Sequence, residues 1–241
     1  DHTSSIHDFY QDFVNECYGP TGPFLSIQDL FLPGGKYFNE TLLWNAKHYP
    51  GDPNGYEYSN TNPLVAATIV EVLSGERFDL YTTNHIFNPL EMSRSTFNLQ
   101  TINEEESHSL SAIYRYFRQA SSSNPSESVF IANAGLDDQT TWKRNQVEPI
   151  PYEKYEIGTN GGLFGPQGSL RTTIGDLSRL MLMHLGNGTV IGSDGSKRSI
   201  MKAESLAEMH RVQAVGDEMY GLYQEIADDI VPGVRLFGHT G

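Results

Sequence analysis

The chain of 241 residues carries a formal net charge of −14 at pH 7 and has a single cysteine, Cys17. So negative a charge argues against nucleic acid or an anionic membrane surface as a partner, and one cysteine excludes an intramolecular disulfide. No segment approaches the ~20 apolar residues that a membrane span needs, and the length suits one large domain or two small ones.

Short helices are predicted near the start of the chain, at residues 8–16, 26–31 and 38–47. They are separated by turns rich in Gly and Pro. In the second of them, Ser26 and Asp29 have the spacing of a capping box, in which two side chains satisfy the free N–H groups at a helix start. This part of the chain shows no strand pattern.

A loop followed by an apolar helix, residues 55–74, is the segment around which the rest of the chain is expected to be arranged. Asn62 is a good N-cap, Pro63 suits the first helical position, and Gly75 is a typical helix stop. The pattern predicts a helix over 63–74, followed by a second helix over 79–85.

The first of these helices is predicted to be buried on nearly all sides, because only Thr68 and Glu71 are polar between residues 64 and 73. Its burial would fix the preceding loop, which carries Tyr58 and Asn60, to the rigid centre of the fold. Polar side chains held in that way suit a catalytic site.

The middle of the chain, residues 99–157, is polar and irregular, and only residues 110–118 fit a helix or a strand. Glycines then become frequent. Their spacing fits neither a dinucleotide-binding nor a phosphate-binding loop, so close backbone approach between two segments is the better interpretation. The five glycines lie within eleven residues: Gly158, Gly161, Gly162, Gly165 and Gly168.

The last third of the chain is predicted to contain two helices and two strands. Thr173 is expected to cap a helix that stops at Gly186, with Asp176 in its first turn. His184, on the apolar face of that helix, is interpreted as a satisfied core histidine and not as a metal ligand. A shorter helix near 202–210 precedes strands at residues 219–226 and 234–238.

Five motifs in this chain resemble those of the serine β-lactamase and penicillin-binding-protein family, on the branch of class C β-lactamases, D-alanyl-D-alanine carboxypeptidases and related esterases. The central motif is Tyr-Ser-Asn, and in the Pro-Leu-Gly-Met motif Glu91 stands where the family usually has Gly. The motifs keep the family's order and lie at residues 2–5, 58–60, 89–92, 161–173 and 239–241.

The resemblance implies an α/β fold of the α+β type, with an antiparallel sheet flanked by helices and a mostly helical subdomain. Residues 1–157 would form the helical part, whose residues 99–157 help to wall the cleft, and residues 158–241 the α/β part. The sheet is expected to consist mostly of strands after residue 215. The chain begins and ends inside family motifs, so we expect it to be a fragment, incomplete at both ends.

The resemblance also implies the roles of the candidate site residues. Tyr58 would be the acid/base and Asn60 the group that orients the catalytic Lys and the substrate, while His239 takes the third-motif position where many relatives have Lys. A phenol loses its proton near pH ~10, and neighbouring cations make the phenolate more accessible. Thr240 and Gly241 would hold the acyl group of the substrate. No metal and no cofactor is implied.

The family's nucleophile, in a Ser-x-x-Lys motif, cannot be placed in the expected order. The one match, Ser199 to Lys202, follows Tyr58 where the family's motif precedes it, and is predicted to open an amphipathic surface helix. It is therefore left out of the site. No G-x-S-x-G or H-E-x-x-H motif suggests another hydrolase class.

Two functions follow from the resemblance. The first is a serine hydrolase that acts on an ester, amide or lactam through an acyl-enzyme, here without its nucleophile. The second is a non-catalytic relative with a structural or assembly role and a protein partner. For the first, a small molecule or a peptide is the expected substrate.

Two N-glycosylation sequons begin at Asn39 and Asn187. Both lie in predicted surface segments. They favour a secreted or extracellular protein.

Overall fold

The computed structural model describes residues 25–43, 51–52, 58–102, 114–118, 128–132, 152–215 and 219–239. The chain forms two compact units, one of residues 1–97 with 155–241 and one of residues 98–154. The helix predicted at 8–16 lies outside the described residues. The division predicted after residue 157, between a helical and an α/β part, stays a prediction.

Six α-helices belong to the first unit within the described residues. A π-helix, Thr83–Phe87, extends the fourth helix, so the helix predicted over 79–85 changes type half-way. A 3₁₀ turn, Gly161–Phe164, lies between the fourth and the fifth. The helices are α1 Gln28–Phe31, α2 Glu40–Leu43, α3 Asn62–Ser74, α4 Phe78–Thr82, α5 Ile174–Leu185 and α6 Ala203–His210.

Two predicted helix starts are confirmed by their hydrogen bonds. Before α1, the backbone N–H of Ser26 donates to Asp29 Oδ2 at 3.0 Å, as in a capping box. At α5, the N–H of Asp176 donates to Thr173 Oγ1 at 3.2 Å, and the helix ends at Gly186 as predicted. These signals were readable because each one joins residues only three positions apart in the sequence.

The second unit contains an antiparallel hairpin of strands β1, Tyr114–Arg118, and β2, Ser128–Ala132. Tyr114 lies opposite Ala132, and the register runs without a break to Arg118 opposite Ser128. The open choice between helix and strand is therefore decided for strand over residues 114–118, and residues 110–113 lie outside the described residues. Short 3₁₀ turns, Leu99–Thr101 and Tyr152–Lys154, lie near the two ends of this unit.

The strands of the first unit form a hairpin and a four-stranded sheet. The hairpin pairs β3, Thr189–Ile191, with β4, Lys197–Ser199. The sheet has the order β5-β6-β7-β8 and all of its pairs are antiparallel. Its strands are β5 Ala214–Val215, β6 Met219–Tyr220, β7 Glu225–Val231 and β8 Val234–Gly238.

The predicted fold class, helices combined with an antiparallel sheet, is confirmed. One strand boundary is wrong. The strand predicted over 219–226 is interrupted between β6 and β7, where Tyr223 has a φ of 56°. A left-handed residue cannot continue a strand, and the apolar pattern of this stretch gives no sign of the turn.

Helix α3 begins and ends close to the predicted residues, but its burial differs from the prediction. Its two polar residues, Thr68 and Glu71, are buried, while Ile69, Val72 and Leu73 are 51%, 66% and 82% exposed. The expected burial on nearly all sides is therefore wrong. The packed face is the one that carries hydrogen-bonding groups.

Close contact between α3 and the glycine-rich segment explains part of that burial. A Cβ added at Gly161 would lie 2.6 Å from the carbonyl carbon of Ala67, which no side chain could tolerate without a shift. The N–H of Gly161 donates to Thr68 Oγ1 at 3.0 Å, and that hydroxyl donates to Leu64 O at 2.8 Å. The prediction of close backbone approach is confirmed at Gly161, whereas a Cβ added at Gly168 would have no atom within 4 Å.

Glu71 joins α3 to two other segments. Its carboxylate accepts hydrogen bonds from the N–H of Phe78 at 2.8 Å, the N–H of Gly158 at 2.9 Å and the hydroxyl of Tyr155 at 2.5 Å. Burial raises the pKa of Glu71 above its ordinary value, and these three donors offset part of that rise. A buried carboxylate with three donors fixes the start of α4 and residues 155–158 against α3.

A second cluster of packed side chains lies between the π-helix, α5 and β3. Its members are apolar and nearly all fully buried. Asp176, in the first turn of α5, also accepts from the N–H of Arg94 and from Ser95 Oγ, both at 2.8 Å, and so connects α5 to the segment after the π-helix. The buried members are Phe87, Leu90, Met92, Met183 and Val190.

Glu91, the departure from the family's glycine, has a φ of 58°. That region of backbone space favours glycine, which accounts for the usual Pro-Leu-Gly-Met motif. The Glu91 carboxylate forms ion pairs with Arg179 and Arg198 and accepts from the N–H and Oγ of Ser193, each at 3.0 Å. These partners hold the pKa of Glu91 below its ordinary value and stabilise the strained residue.

Candidate functional site

The loop before α3 carries Tyr58 and Asn60. The Tyr58 hydroxyl donates to Asn60 Oδ1 at 3.1 Å, so the phenol and the amide form one unit. Ser59 between them faces Thr61, whose N–H donates to Ser59 Oγ at 3.2 Å and whose Oγ1 lies 2.6 Å from it. Hydroxyl bonds of this kind stabilise a turn just ahead of a helix.

His239 follows β8 directly and brings a third polar side chain to this loop. The ring centroids of Tyr58 and His239 are 5.8 Å apart, with 45° between the ring planes. Residues far apart in the sequence thus meet at the end of one strand. Thr240 and Gly241, the predicted substrate-binding residues, lie outside the described residues.

The site is open to solvent. Tyr58 is 54% exposed, and Asn60 and His239 are also exposed. A phenol and an imidazole can each donate or accept a proton, so the pair can serve acid/base chemistry on a molecule from solution. Among the residues that the structure describes, no group of three or more His, Cys, Asp or Glu side chains could hold a metal ion.

Ser199 and Lys202 do not form the serine–lysine pair of a helix. Ser199 ends β4, opposite Thr189, and Lys202 stands before the first residue of α6. The prediction that Ser199 opens a helix is wrong, because the hairpin pairing of β3 and β4 keeps it in an extended backbone. Its exclusion from the site is consistent with this geometry.

Two histidines near the site were not recognised from the sequence as partners. His184 Nδ1 lies 3.1 Å from His210 Nε2, and the ring of His210 stacks on Phe237 of β8 at a centroid distance of 4.0 Å. His184 is half-buried and has a partner, as its interpretation as a satisfied core histidine requires. The only sequence signal was that both α5 and α6 carry a histidine in their last turn.

Comparison with known proteins gives the family. The family model described as Beta-lactamase matches residues 39–241, so this chain belongs to the β-lactamase family. No curated protein is significantly similar to the chain.

A solved structure is also similar, the octameric penicillin-binding protein homologue from Pyrococcus abyssi. The two chains are 20% identical with a TM-score of 0.47, over 78% of this chain and 33% of that one. This chain thus spans about a third of the length of that protein. In the chain studied, none of the described helices is long and apolar enough to cross a membrane.

Proposed function

We propose that this chain is part of a serine hydrolase on the branch of class C β-lactamases, D-alanyl-D-alanine carboxypeptidases and related esterases. The reaction is attack of a serine on an ester, amide or lactam carbonyl, followed by hydrolysis of the acyl-enzyme. Tyr58, Asn60 and His239 carry the acid/base part of that site. Thr240 and Gly241 bind the acyl group.

One observation supports this proposal most strongly. The Tyr58 hydroxyl, bonded to Asn60, lies beside the His239 ring in a chain that belongs to the β-lactamase family. These three side chains are a phenol, an amide and an imidazole, which are the groups that the proposed acid/base chemistry uses.

Each residue has a distinct role in the proposed reaction. Tyr58 accepts the proton of the nucleophilic hydroxyl and then donates it to the leaving group. Asn60, whose Oδ1 accepts from that phenol, fixes the direction of the hydroxyl and orients the substrate. His239, whose ring centroid lies 5.8 Å from that of Tyr58, takes the position that Lys has in many relatives.

We further propose that the nucleophile and its lysine are not among these 241 residues. Ser199, the one serine with a lysine three positions later, is in a strand, and the family's geometry needs both side chains on one face of a helix. The 241-residue chain would therefore bind a substrate but would not form an acyl-enzyme.

A fluorophosphonate probe, which labels activated serines, tests this proposal. The 241-residue chain and the product of the complete gene are labelled in parallel, with a chromogenic ester assayed beside them. We expect labelling of the complete product alone, slowed by at least ~100-fold in Tyr58→Phe, since general acid–base groups contribute 10²–10⁴-fold. Tyr81→Phe, which removes a hydroxyl from a ring that contacts His85 at a centroid distance of 4.5 Å, is the matched control and keeps the rate.

Two results would contradict the proposal. Labelling of the short chain at Ser199 would assign the nucleophile to β4. An unlabelled complete product would instead favour the non-catalytic relative with a structural or assembly role.

We also propose a secreted glycoprotein. Asn39 and Asn187 are exposed, as a modified asparagine must be. Glycosidase treatment of the protein from its natural source should lower its mass, and Asn39→Gln and Asn187→Gln should each remove part of that change. A natural protein of unchanged mass would contradict this assignment.

A further inference from the structure

Three aromatic rings lie in a row: His184 and His210 form a hydrogen-bonded pair, and His210 stacks on Phe237. His184 lies in the last turn of α5, His210 ends α6, and Phe237 is in β8. The two histidine rings are 5.3 Å apart between centroids with 22° between their planes, and His210 and Phe237 are 4.0 Å apart with 18°. The ends of two helices are thus joined to one strand.

The histidine pair is arranged to share a proton. The centroid distance of 5.3 Å is about the sum of the Nδ1–Nε2 distance of 3.1 Å and one ring radius on each side, so the two nitrogens point at each other. One ring donates its N–H and the other accepts with its lone pair. A bound metal ion would need both lone pairs directed at a third point, which this arrangement does not provide.

Charged neighbours do not compete for the His210 ring. Glu208 and Arg211, on either side of it, bind each other through Arg211 Nε at 2.9 Å and Nη2 at 2.6 Å. Gln213 Nε2 donates to the same Glu208 carboxylate at 3.0 Å. The ring of His210 is therefore held by His184 and by Phe237.

Phe237 connects the His184–His210 pair to the site. It lies opposite Ile226, which is 3% exposed, so both side chains are on one face of the sheet. Side chains two positions apart in an extended segment point to the same side, which places His239 on the side of Phe237. His239 then meets Tyr58 at the end of β8.

We infer that His210, stacked on Phe237 and hydrogen-bonded to His184, is a positioning residue that sets the place of His239 beside Tyr58. The contact between the Tyr58 and His239 rings is seen in the structure, and its importance for catalysis rests on the proposed function. A site needs its reacting groups to be held by packed neighbours, and β8 ends at Gly238, which has no side chain of its own to pack.

The experiment follows the Tyr58–His239 contact directly, without an assay of activity. In the 241-residue chain with labelled histidine and tyrosine, an NMR cross-peak between the two rings reports their proximity. We expect that cross-peak to be lost in His210→Ala and kept in His210→Phe, which restores the stack on Phe237. Phe237→Leu, which keeps an apolar side chain but removes the ring, should also lose it.

Leu206→Val is the control for general destabilisation, because Leu206 is a buried residue of the same helix. It should lower the free energy of unfolding and keep the cross-peak. A cross-peak that survives both His210→Ala and Phe237→Leu would overturn the positioning role, as would its absence from the unchanged protein. Neither result depends on serine labelling, so failure of this inference and failure of the proposed function are distinguishable.

Discussion

Tyr155 donates a hydrogen bond of 2.5 Å from its hydroxyl to the carboxylate of Glu71, which lies 84 positions earlier in the chain. Both groups are buried, and burial raises the pKa of Tyr155 as well as that of Glu71. The N–H of Asn160 donates to the same tyrosine oxygen at 3.0 Å. Tyr155 therefore joins α3 to the start of the glycine-rich segment.

Tyr155→Phe should lower the free energy of unfolding by about 1–3 kcal/mol, because it removes one donor from a buried carboxylate. Urea denaturation measures the change. Tyr223→Phe, at an exposed tyrosine, is the control and should change stability by less than ~0.5 kcal/mol. Equal effects of the two substitutions would mean that the hydrogen bond does not stabilise the fold.

Gly161→Ala should be destabilising by about 1–3 kcal/mol or more, because the new Cβ would lie 2.6 Å from the backbone of Ala67. Gly168→Ala is the matched control, since nothing lies within 4 Å of a Cβ there. That change should be neutral or slightly stabilising, because alanine restricts the unfolded chain. Similar thermal midpoints for the two variants would show that α3 and the 3₁₀ turn can separate without cost.

At position 91 a glycine variant should be more stable than an alanine variant, the reverse of the order found at most positions. Both Glu91→Ala and Glu91→Gly lose the partners Arg179, Arg198 and Ser193, but only glycine relieves the left-handed backbone, with φ 58°. We therefore expect the glycine variant to have the higher urea midpoint of the two. An alanine variant at least as stable as the glycine variant would mean that the backbone at this position carries no strain.

Stability should fall as the pH is lowered, through the histidine pair. Burial lowers the pKa of both His184 and His210, and for His184 the neighbouring ring adds to the effect. Because the folded state takes up these protons less readily than the unfolded state, the stabilisation is complete above the unfolded pKa of about 6.5 and is lost as pH falls through the lowered folded values.

Urea midpoints measured between about pH 8 and pH 5 test this dependence. The double variant His184→Phe/His210→Phe should have a flatter profile than the unchanged protein. Leu206→Val, which changes a buried apolar residue of α6 and no titratable group, should lower every midpoint and keep the slope of the profile. A double variant with an unchanged slope would assign the pH dependence to other groups.

The sequence was informative where the cause of a structure is local or simple. The cap at Thr173 and the stops at Gly75 and Gly186 depend on a few neighbouring residues. The absence of a side chain at Gly161 indicates that the backbone of another segment packs closely there. Tyr58 and Asn60 were predicted as site residues because two positions in one loop form a recognisable motif. The contact of Tyr58 with His239 could be expected only through the family resemblance.

Other features could not be predicted because their partners are distant in sequence. The buried face of α3 is set by Glu71, whose donors Tyr155 and Gly158 are 84 and 87 positions away. An apolar count over ten residues cannot anticipate such bonds. The stacking of His210 on Phe237 was unpredictable for the same reason. His210 is the last residue of a helix and Phe237 lies in a strand, and neither sequence position indicates the other as its partner.

The outward side of α3 has a consequence for how the protein behaves in solution. Ile69, Val72 and Leu73 present apolar surface to water, and surface of that kind promotes self-association as concentration rises. None of the three provides a hydrogen bond that holds the helix in place, in contrast to Thr68 and Glu71. Leu73→Lys should therefore raise the solubility limit of the protein while leaving its thermal midpoint almost unchanged.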